Sequence, residues 1–175
     1  MEAIMSSWQQ MLNLYFVQSG AGLAAIGAAL TFSLGGIGSA KGISISGGQA
    51  AGILSEKPDL FGKLLVIMAL PGTQGFYGLI CTVMTAMKTG LYSGKITVSP
   101  AQGLVIFFVS LGAGLVQLFS AIAQGEAAAA SANFVAKNPG EAGKAILIPA
   151  LVETYAVLAL LADILLLFWV TKANF

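Results

Sequence analysis

The sequence has no histidine and no arginine, and only 9% of its 175 residues are charged. Histidine is the commonest general base and the commonest transition-metal ligand. Its absence excludes Ser–His and Cys–His catalysis and argues against a transition-metal centre. The eight basic residues are all lysines spread along the chain, so they form no basic patch of the kind that binds nucleic-acid phosphates. We therefore expect a non-catalytic protein with no organic cofactor and no nucleic-acid partner.

Cysteine is equally scarce, and other familiar signals are missing. Cys81 is the single cysteine and lies in an apolar run, so we interpret it as an inert packing residue that forms no intrachain disulfide. The N-terminal segment MEAIMSSWQQ lacks a basic stretch before an apolar run, which argues against a cleavable signal peptide. The glycine-rich GGIGSAKG lacks the spacing of a phosphate-binding loop.

Apolar residues make up 57% of the chain, whereas its charged fraction is far below the roughly 25% of soluble domains. A helix needs roughly 20 apolar residues to cross a bilayer. Four stretches satisfy this requirement, and charged segments with proline or glycine separate them: residues 12–54, 60–87, 100–135 and 142–170. We predict an all-α integral membrane protein with four transmembrane helices in a single membrane domain, residues 1–175.

The two halves of the chain repeat each other. Four pairs of identical residues share an offset of 81: Pro58 and Pro139, Gly62 and Gly143, Lys63 and Lys144, Leu70 and Leu151. Upstream, GGIGSAKG resembles SAIAQGEA at an offset of 85, a difference of about one helical turn. We therefore predict two duplicated hairpins, residues 12–87 and 100–171, in the same orientation.

The lysines predict how the hairpins face the membrane. Five lie in or beside the hairpin loops and three on the opposite side: Lys41, Lys57, Lys63, Lys137 and Lys144 against Lys88, Lys95 and Lys172. Lysine is enriched in cytoplasmic loops. We predict a multi-pass protein of the cell membrane with cytoplasmic hairpin loops and both termini outside.

The fourth span contains a carboxylate, Glu153, well inside the apolar stretch. Intramembrane carboxylates are costly and are usually functional. The alternative is a protonated glutamate that hydrogen-bonds a neighbouring helix. Asp163 lies ten residues further, about 15 Å along the helix axis. For Asp163 we favour a structural or headgroup-level role, beside an interfacial water path or a lysine.

Oxygen-bearing side chains occur at a comparable depth in the other spans. These are Thr73, Gln74 and Tyr77 in span two and Gln124 in span three. Pro71 removes a helical N–H and distorts its turn, so that a main-chain carbonyl can face a ligand. One carboxylate with several neutral oxygens suits a hard monovalent cation, Na⁺ more than H⁺. Alternatively, Gln74 and Gln124 only hydrogen-bond between helices.

Four motifs in order carry a resemblance that covers nearly the whole chain: GIGSAKG at 36–42, LPGTQGFYG at 70–78, IAQGEAAAA at 122–130 and VETYAVL at 152–158. The chain resembles the four-helix proteolipid subunit K, the rotor-ring proteolipid, of bacterial and archaeal V-type ATPases of the sodium-translocating type. The resemblance implies a ring of identical subunits in membrane lipid. ATP hydrolysis in the peripheral head would turn this ring, through central-stalk subunits, against a stator membrane subunit with a buried arginine.

The resemblance also implies the roles of individual residues. Glu153 would carry the ion, with Na⁺ bound by Glu153, Gln124, Gln74, Thr73 and the main-chain carbonyl of Leu70, while Tyr77 hydrogen-bonds the glutamate and locks the site. The position equivalent to Glu153 in the first hairpin is Gly72, so one subunit would carry one ion per four helices. Fewer ions per turn favour pumping over ATP synthesis.

Two other classes of function remain open from the residues alone. The duplicated hairpins could form a small secondary ion-coupled transporter, or the chain could be a purely structural proteolipid. The N-terminal lead, Met1 to about Gln10, is longer than the resemblance predicts, and we assign it no function.

Overall fold

The computed structural model describes residues 2–173, with side chains from residue 6 onward. Within this range the chain is helical and contains no strand. Six α-helices follow one another: α1 (Glu2–Leu12), α2 (Ala21–Glu56), α3 (Phe61–Ala69), α4 (Thr73–Lys88), α5 (Pro100–Lys137) and α6 (Ala142–Val170). Four helical stretches are long and apolar enough to span a membrane: Ala21–Glu56, Pro58–Lys88, Pro100–Lys137 and Pro139–Val170. This confirms the predicted four-span fold class.

The first span begins at Ala21 and not near Leu12, so the predicted boundary was wrong. A short π-helical segment, Asn13–Val17, follows α1, and the chain then breaks before α2. A residue distant in sequence stabilises this break, because the Gly20 N–H donates to the Val98 carbonyl at 3.0 Å. The sequence is largely apolar on both sides of the break, so the apolar pattern alone does not show where the first span begins. The predicted N-terminal lead is therefore mostly a separate helix, α1, while Met1 lies outside the described residues.

The two longest helices, α2 and α5, pack along each other at the centre of the chain. Their contact depends on facing glycines. A Cβ added at Gly103 would collide with the backbone of Gly20, and one added at Gly125 would lie 2.5 Å from the Cα of Gly42. No side chain fits at either point, so glycine lets the two backbones approach closely. The small residues of these spans thus pack helices within one chain.

The second span is interrupted in its middle, whereas the fourth is continuous. A 3₁₀ turn, Leu70–Gly72, separates α3 from α4 at Pro71, which lacks the N–H that a regular helix requires. Helix α6 contains Pro149 and still runs unbroken from Ala142 to Val170. The predicted distortion at Pro71 is therefore present, and it lies beside α2 and α5.

Polar contacts tie both ends of the helical bundle. At the hairpin-loop end, the Lys57 Nζ donates to the Ala136 carbonyl at 2.6 Å and the Lys63 Nζ to the Pro139 carbonyl at 2.9 Å. At the opposite end, Ser99 and Gln102 form a capping box that starts α5. The Gln102 amide also donates to the Val170 carbonyl at the end of α6, at 3.0 Å. The two lysine contacts therefore join the hairpins to each other, whereas the Gln102 contact holds α5 and α6 together within the second hairpin.

Candidate cation-binding site

Glu153 lies on α6 within the fourth span and is half-buried. Its two carboxylate oxygens contact two other helices. The Tyr77 hydroxyl on α4 donates to Oε1 at 2.5 Å, and the Gln124 amide nitrogen on α5 lies 3.4 Å from Oε2. The carboxylate is therefore held between α4 and α5, although no positive side chain pairs with it among the described residues.

A pair of glutamine amides lies next to the carboxylate. Gln74 and Gln124 are both fully buried, with 0% of their surfaces exposed. The Gln74 Nε2 donates to Gln124 Oε1 at 2.5 Å, and the Gln124 Nε2 also donates to the Pro149 carbonyl at 3.1 Å. Buried amides need such partners because an unpaired polar group in the interior is costly. The pair links α4, α5 and α6 directly beside Glu153.

The broken turn of the second span supplies the remaining oxygens. The Thr73 Oγ1 lies 3.1 Å from the Leu70 carbonyl oxygen and 3.3 Å from Gln74 Oε1. The Thr73 main-chain N–H also donates to the Leu70 carbonyl, which closes the 3₁₀ turn. The turn therefore directs a carbonyl, a hydroxyl and an amide oxygen into one small region.

All six residues singled out by the sequence are joined in one chain of polar contacts. It runs from Leu70 through Thr73, Gln74 and Gln124 to Glu153, and from there to Tyr77. Carbonyl, hydroxyl, amide and carboxylate oxygens are the ligands that hard cations prefer. No cluster of three or more histidine, cysteine or acidic side chains occurs among the described residues. The chemistry of this site is therefore that of oxygen ligands around a single negative charge.

Sequence reasoning missed Ser120. Its hydroxyl lies 3.5 Å from the Gln74 Nε2 and 3.4 Å from the Val152 carbonyl. Ser120 precedes Gln124 by four residues, so the two share a helix face. That spacing was the available signal. Ser120 completes the polar wall of α5 at the level of Glu153.

The equivalent region of the first hairpin holds no acid. Gly72 stands where Glu153 stands in the repeat, and Ser39 stands where Gln124 stands, at the offset of 85. The Ser39 hydroxyl accepts the Gly75 N–H at 2.8 Å and so serves helix packing. A Cβ at Gly72 would approach only the end of the Ile43 side chain, at 3.3 Å. The first hairpin thus lacks the carboxylate because its sequence has glycine at this position, and not because the space is filled.

For Asp163 the expected lysine partner is not found within the described part of the chain, while the expected structural or headgroup-level role stays a prediction. Asp163 is only 3% exposed, and no ion pair to it exists among the described residues. The reason is its position: α6 continues for seven more residues, to Val170, so Asp163 lies about two turns inside the helix end. Its polar neighbours are the thiol of Cys81 on α4 and Ser110 on α5. Cys81 is itself fully buried, as a packing residue would be.

The chain is similar to known membrane proteins over most of its length. The family model of the ATP synthase C subunit matches it twice, at residues 26–85 and 107–166. The V-type sodium ATPase subunit K of Enterococcus hirae is 38% identical over 157 residues, which cover 89% of this chain and 97% of that protein. The A-type ATP synthase subunit K of Methanocaldococcus jannaschii is 42% identical over 152 residues, 87% of this chain but 64% of that protein.

The two family matches begin 81 residues apart, the same offset that relates the repeated residues. Each match covers one membrane hairpin and, together, they cover more than half of the chain. The resemblance drawn from the four motifs is thereby confirmed. The chain belongs to the family of the ATP synthase C subunit.

Proposed function

We propose that this chain is a rotor-ring subunit of a V-type ATPase and that it carries a monovalent cation across the membrane on Glu153. The observation that carries the proposal is the half-buried carboxylate of Glu153 inside a membrane span, joined to Tyr77 and to the buried Gln74–Gln124 pair. The names of both relatives support a place in such a complex. The chain itself hydrolyses nothing and moves the ion by rotation.

Na⁺ is the favoured ion, and H⁺ is the alternative. Five oxygen ligands would surround Na⁺: the carboxylate of Glu153, the side-chain oxygens of Gln124, Gln74 and Thr73, and the main-chain carbonyl of Leu70. One negative charge balances one monovalent cation and would leave a divalent ion undercompensated. A proton needs only the carboxylate, so the buried neutral oxygens favour Na⁺. The sodium ATPase relative supports the same choice.

The glutamine amides support the carboxylate from one side. The Gln124 Nε2 lies 3.4 Å from Glu153 Oε2, and the Gln74 Nε2 donates to Gln124 Oε1. These amide N–H groups provide partial positive charge beside the carboxylate, and the amide oxygens of the same two side chains are the proposed Na⁺ ligands.

Tyr77 locks the loaded site. Its hydroxyl donates to Glu153 Oε1 from α4, so the glutamate cannot swing outward while this bond exists. A charge-assisted hydrogen bond of this kind is stronger than a neutral one. In a stator subunit, a buried arginine would compete for the carboxylate and release the ion.

The assembly follows from the exposed apolar surface of the chain. Large apolar side chains cover the outside of the helices and need lipid or a second copy of the chain around them: Phe76, Phe108, Phe119, Leu147, Leu151 and Tyr155 are examples. Identical subunits in a ring, the stator subunit, central-stalk subunits and lipid are the proposed partners. The two repeated hairpins form one membrane domain, with the lysine-bearing loops cytoplasmic and the termini outside.

Carbodiimide labelling tests the proposal in the purified ring. A hydrophobic carbodiimide reacts with a protonated carboxyl in an apolar site, and Na⁺ in that site excludes the proton. Labelling at Glu153 should therefore slow as Na⁺ is added at neutral pH. Glu153→Gln should abolish the Na⁺-sensitive labelling and ATP-driven Na⁺ uptake, whereas Glu126→Gln, at an exposed acid on α5, should change neither.

Three outcomes would contradict parts of the proposal. Labelling at Glu153 that depends on pH and is indifferent to Na⁺ would identify a proton-carrying ring. Uptake by the reconstituted chain alone, with no ATPase head, would identify a secondary transporter. Unchanged transport in Glu153→Gln would leave only a structural role.

A further inference from the structure

Asp163 is a second intramembrane acid that the proposed carrier does not use. It lies on α6, about 15 Å from Glu153 along the helix axis, within the fourth span. It is 97% buried, since only 3% of its surface is exposed. Neither carboxylate oxygen has a hydrogen-bond partner of good geometry among the described residues. Buried polar groups without partners are rare in native structures and need an explanation.

The groups around Asp163 cannot balance a negative charge. Cys81 faces it from α4, and a thiol is only a weak hydrogen-bond donor. From α5 the neighbours are Ile106, Val109 and Ser110, and from α6 they are Leu167 and Val170. A bare carboxylate in such surroundings would be strongly disfavoured. The charged form of Asp163 therefore has no support from its own site.

Other ionisable side chains lie too far along their helices to help. On α5 they are Glu126 and Lys137, and on α2 they are Lys41 and Glu56, all toward the hairpin-loop end. On α4, Lys88 lies two turns beyond Cys81, and its Nζ stands 3.8 Å from the ring centre of Phe168. The single ion pair of the described residues, Lys144 with Glu141, is also at the hairpin-loop end.

The surroundings of Asp163 also differ from those of Glu153 in the ligands they offer. Within the described part of the chain, no amide side chain lines the Asp163 site, and no helix break directs a carbonyl toward it. A sodium ion would therefore find the carboxylate and few other oxygens. A proton requires only the carboxylate, because it forms a neutral carboxylic acid that is compatible with burial.

A cleft on the outside of the helix pair lies beside Asp163. This cleft of about 310 Å³ opens between α5 and α6, and Asp163 forms part of its wall. Small residues create the cleft: Gly112 and Ala113 on α5, Ala159 and Ala162 on α6. At Gly112 an added Cβ would meet no atom within 4 Å. Both carboxylate oxygens are buried behind this wall, so the proton exchanges when a local opening of the wall admits water from the cleft.

We propose that Asp163 is a second cation site of the chain, specific for a proton, which exchanges through the cleft between α5 and α6. The chain then holds two monovalent cations of different kinds, one at Glu153 and one at Asp163. The Asp163 proton is independent of Na⁺, because the two acids share no ligand. It keeps the half of α6 beyond Glu153 electrically neutral.

Infrared spectroscopy of the purified ring tests this proposal without relying on transport. At neutral pH the wild-type ring saturated with Na⁺ should show the infrared band of a protonated carboxyl group. This band belongs to Asp163, because Na⁺ keeps Glu153 ionised. The band should shift in D₂O, as an exchangeable proton requires. It should vanish in Asp163→Asn and persist in Glu126→Gln. A missing band, or a band that does not shift in D₂O, would overturn the proposal.

Site-resolved carbodiimide labelling separates this proposal from the one for Glu153. With peptides mapped by mass spectrometry, Na⁺ at about ten times its dissociation constant should slow labelling at Glu153 by about tenfold. Labelling at Asp163 should stay unchanged in Na⁺ and fall as the pH rises. If Na⁺ slows labelling of Asp163 in the Glu153→Gln ring, Asp163 is a sodium ligand and the proton site is wrong. If Na⁺ fails to slow labelling at Glu153 while Asp163 behaves as expected, the proposal for Glu153 is wrong and the proposal for Asp163 stands.

Discussion

In the proposed mechanism, the hydrogen bond from Tyr77 to Glu153 is the contact that separates a retained ion from a released one. Both side chains lie within membrane spans, on α4 and α6, and the donor–acceptor distance is 2.5 Å. The glutamate has a second neighbour in Gln124, at 3.4 Å. The shorter contact therefore provides most of the restraint on the carboxylate.

Tyr77→Phe should weaken ion retention and leave the fold intact. A hydrogen bond to a charged group contributes about 1.5–3 kcal/mol, so we expect the affinity for Na⁺ to fall by about tenfold or more. Protection of Glu153 against carbodiimide by Na⁺ measures the change. Tyr155→Phe is the matched control, because Tyr155 is 69% exposed, and protection should be unaltered. Equal affinities in both variants would contradict the proposed lock.

The buried glutamines of α5 allow a second comparison of single residues. Gln124 and Gln117 are both 0% exposed, seven residues apart. Gln124 contacts Gln74 and Glu153, whereas Gln117 donates to the Ala156 carbonyl at 2.9 Å. They share a buried environment and differ in their distance from the proposed ion.

Gln124→Leu should lower the affinity for Na⁺ by more than about tenfold, because it removes an interaction with a charged group. Gln117→Leu should lower the thermal stability of the ring. It should keep the affinity for Na⁺ within about twofold, since it removes only a neutral hydrogen bond. Na⁺ titrations and thermal dissociation of the ring measure the two effects. If both variants lose affinity equally, Gln124 acts through packing and not as a ligand.

At the scale of helices, the sequence predicts most of the architecture. Long apolar stretches and their charged, proline-containing breaks locate the four spans, because bilayer thickness fixes the length of a helix. The start of α2 could not be found in this way, since a main-chain contact between Gly20 and Val98 sets it. Burial of Asp163 was also missed, because it depends on how far α6 extends beyond it.

The site shows the same limit at closer range. Residue chemistry alone indicates that acids and amides at one depth belong together, and Pro71 predicts a distorted turn. The contact between Gln74 and Gln124 depends on how α4 and α5 pack, which the periodicity of one helix does not reveal. The resemblance to subunit K supplied the proposed ligand set. Ser120 is not part of the resemblance, and only its spacing of four residues from Gln124 indicates that it belongs to the site.

Close packing of α2 against α5 gives a prediction for these two elements. Gly125→Leu should separate the helices, because its Cβ alone would lie 2.5 Å from the Cα of Gly42. Overpacking of this kind costs about 1–3 kcal/mol or more. Gly47→Leu, at a position on α2 with open space around the Cβ, is the control. Thermal dissociation of the purified ring should occur at a lower temperature only in Gly125→Leu.

At the scale of the whole molecule, the duplication has left one acid at the proposed carrier position for four membrane helices. Gly72 and Ser39 replace the glutamate and the glutamine in the first hairpin. We therefore expect about one Na⁺ per chain at saturation, a count that follows from the single negative charge of the site. Equilibrium binding of radioactive sodium to the purified ring measures it. Two sodium ions per chain would contradict this reading and would bring Asp163 in as a ligand.

The central claim is that Glu153 is the ion carrier of a rotary pump. The most direct measurement is the rate of carbodiimide labelling at Glu153 in the purified ring, as a function of Na⁺ at fixed neutral pH. The account predicts that Na⁺ slows this labelling in a saturable way, and that Tyr77→Phe shifts the curve to higher Na⁺. Labelling of Glu153 that is the same at every Na⁺ concentration would contradict it.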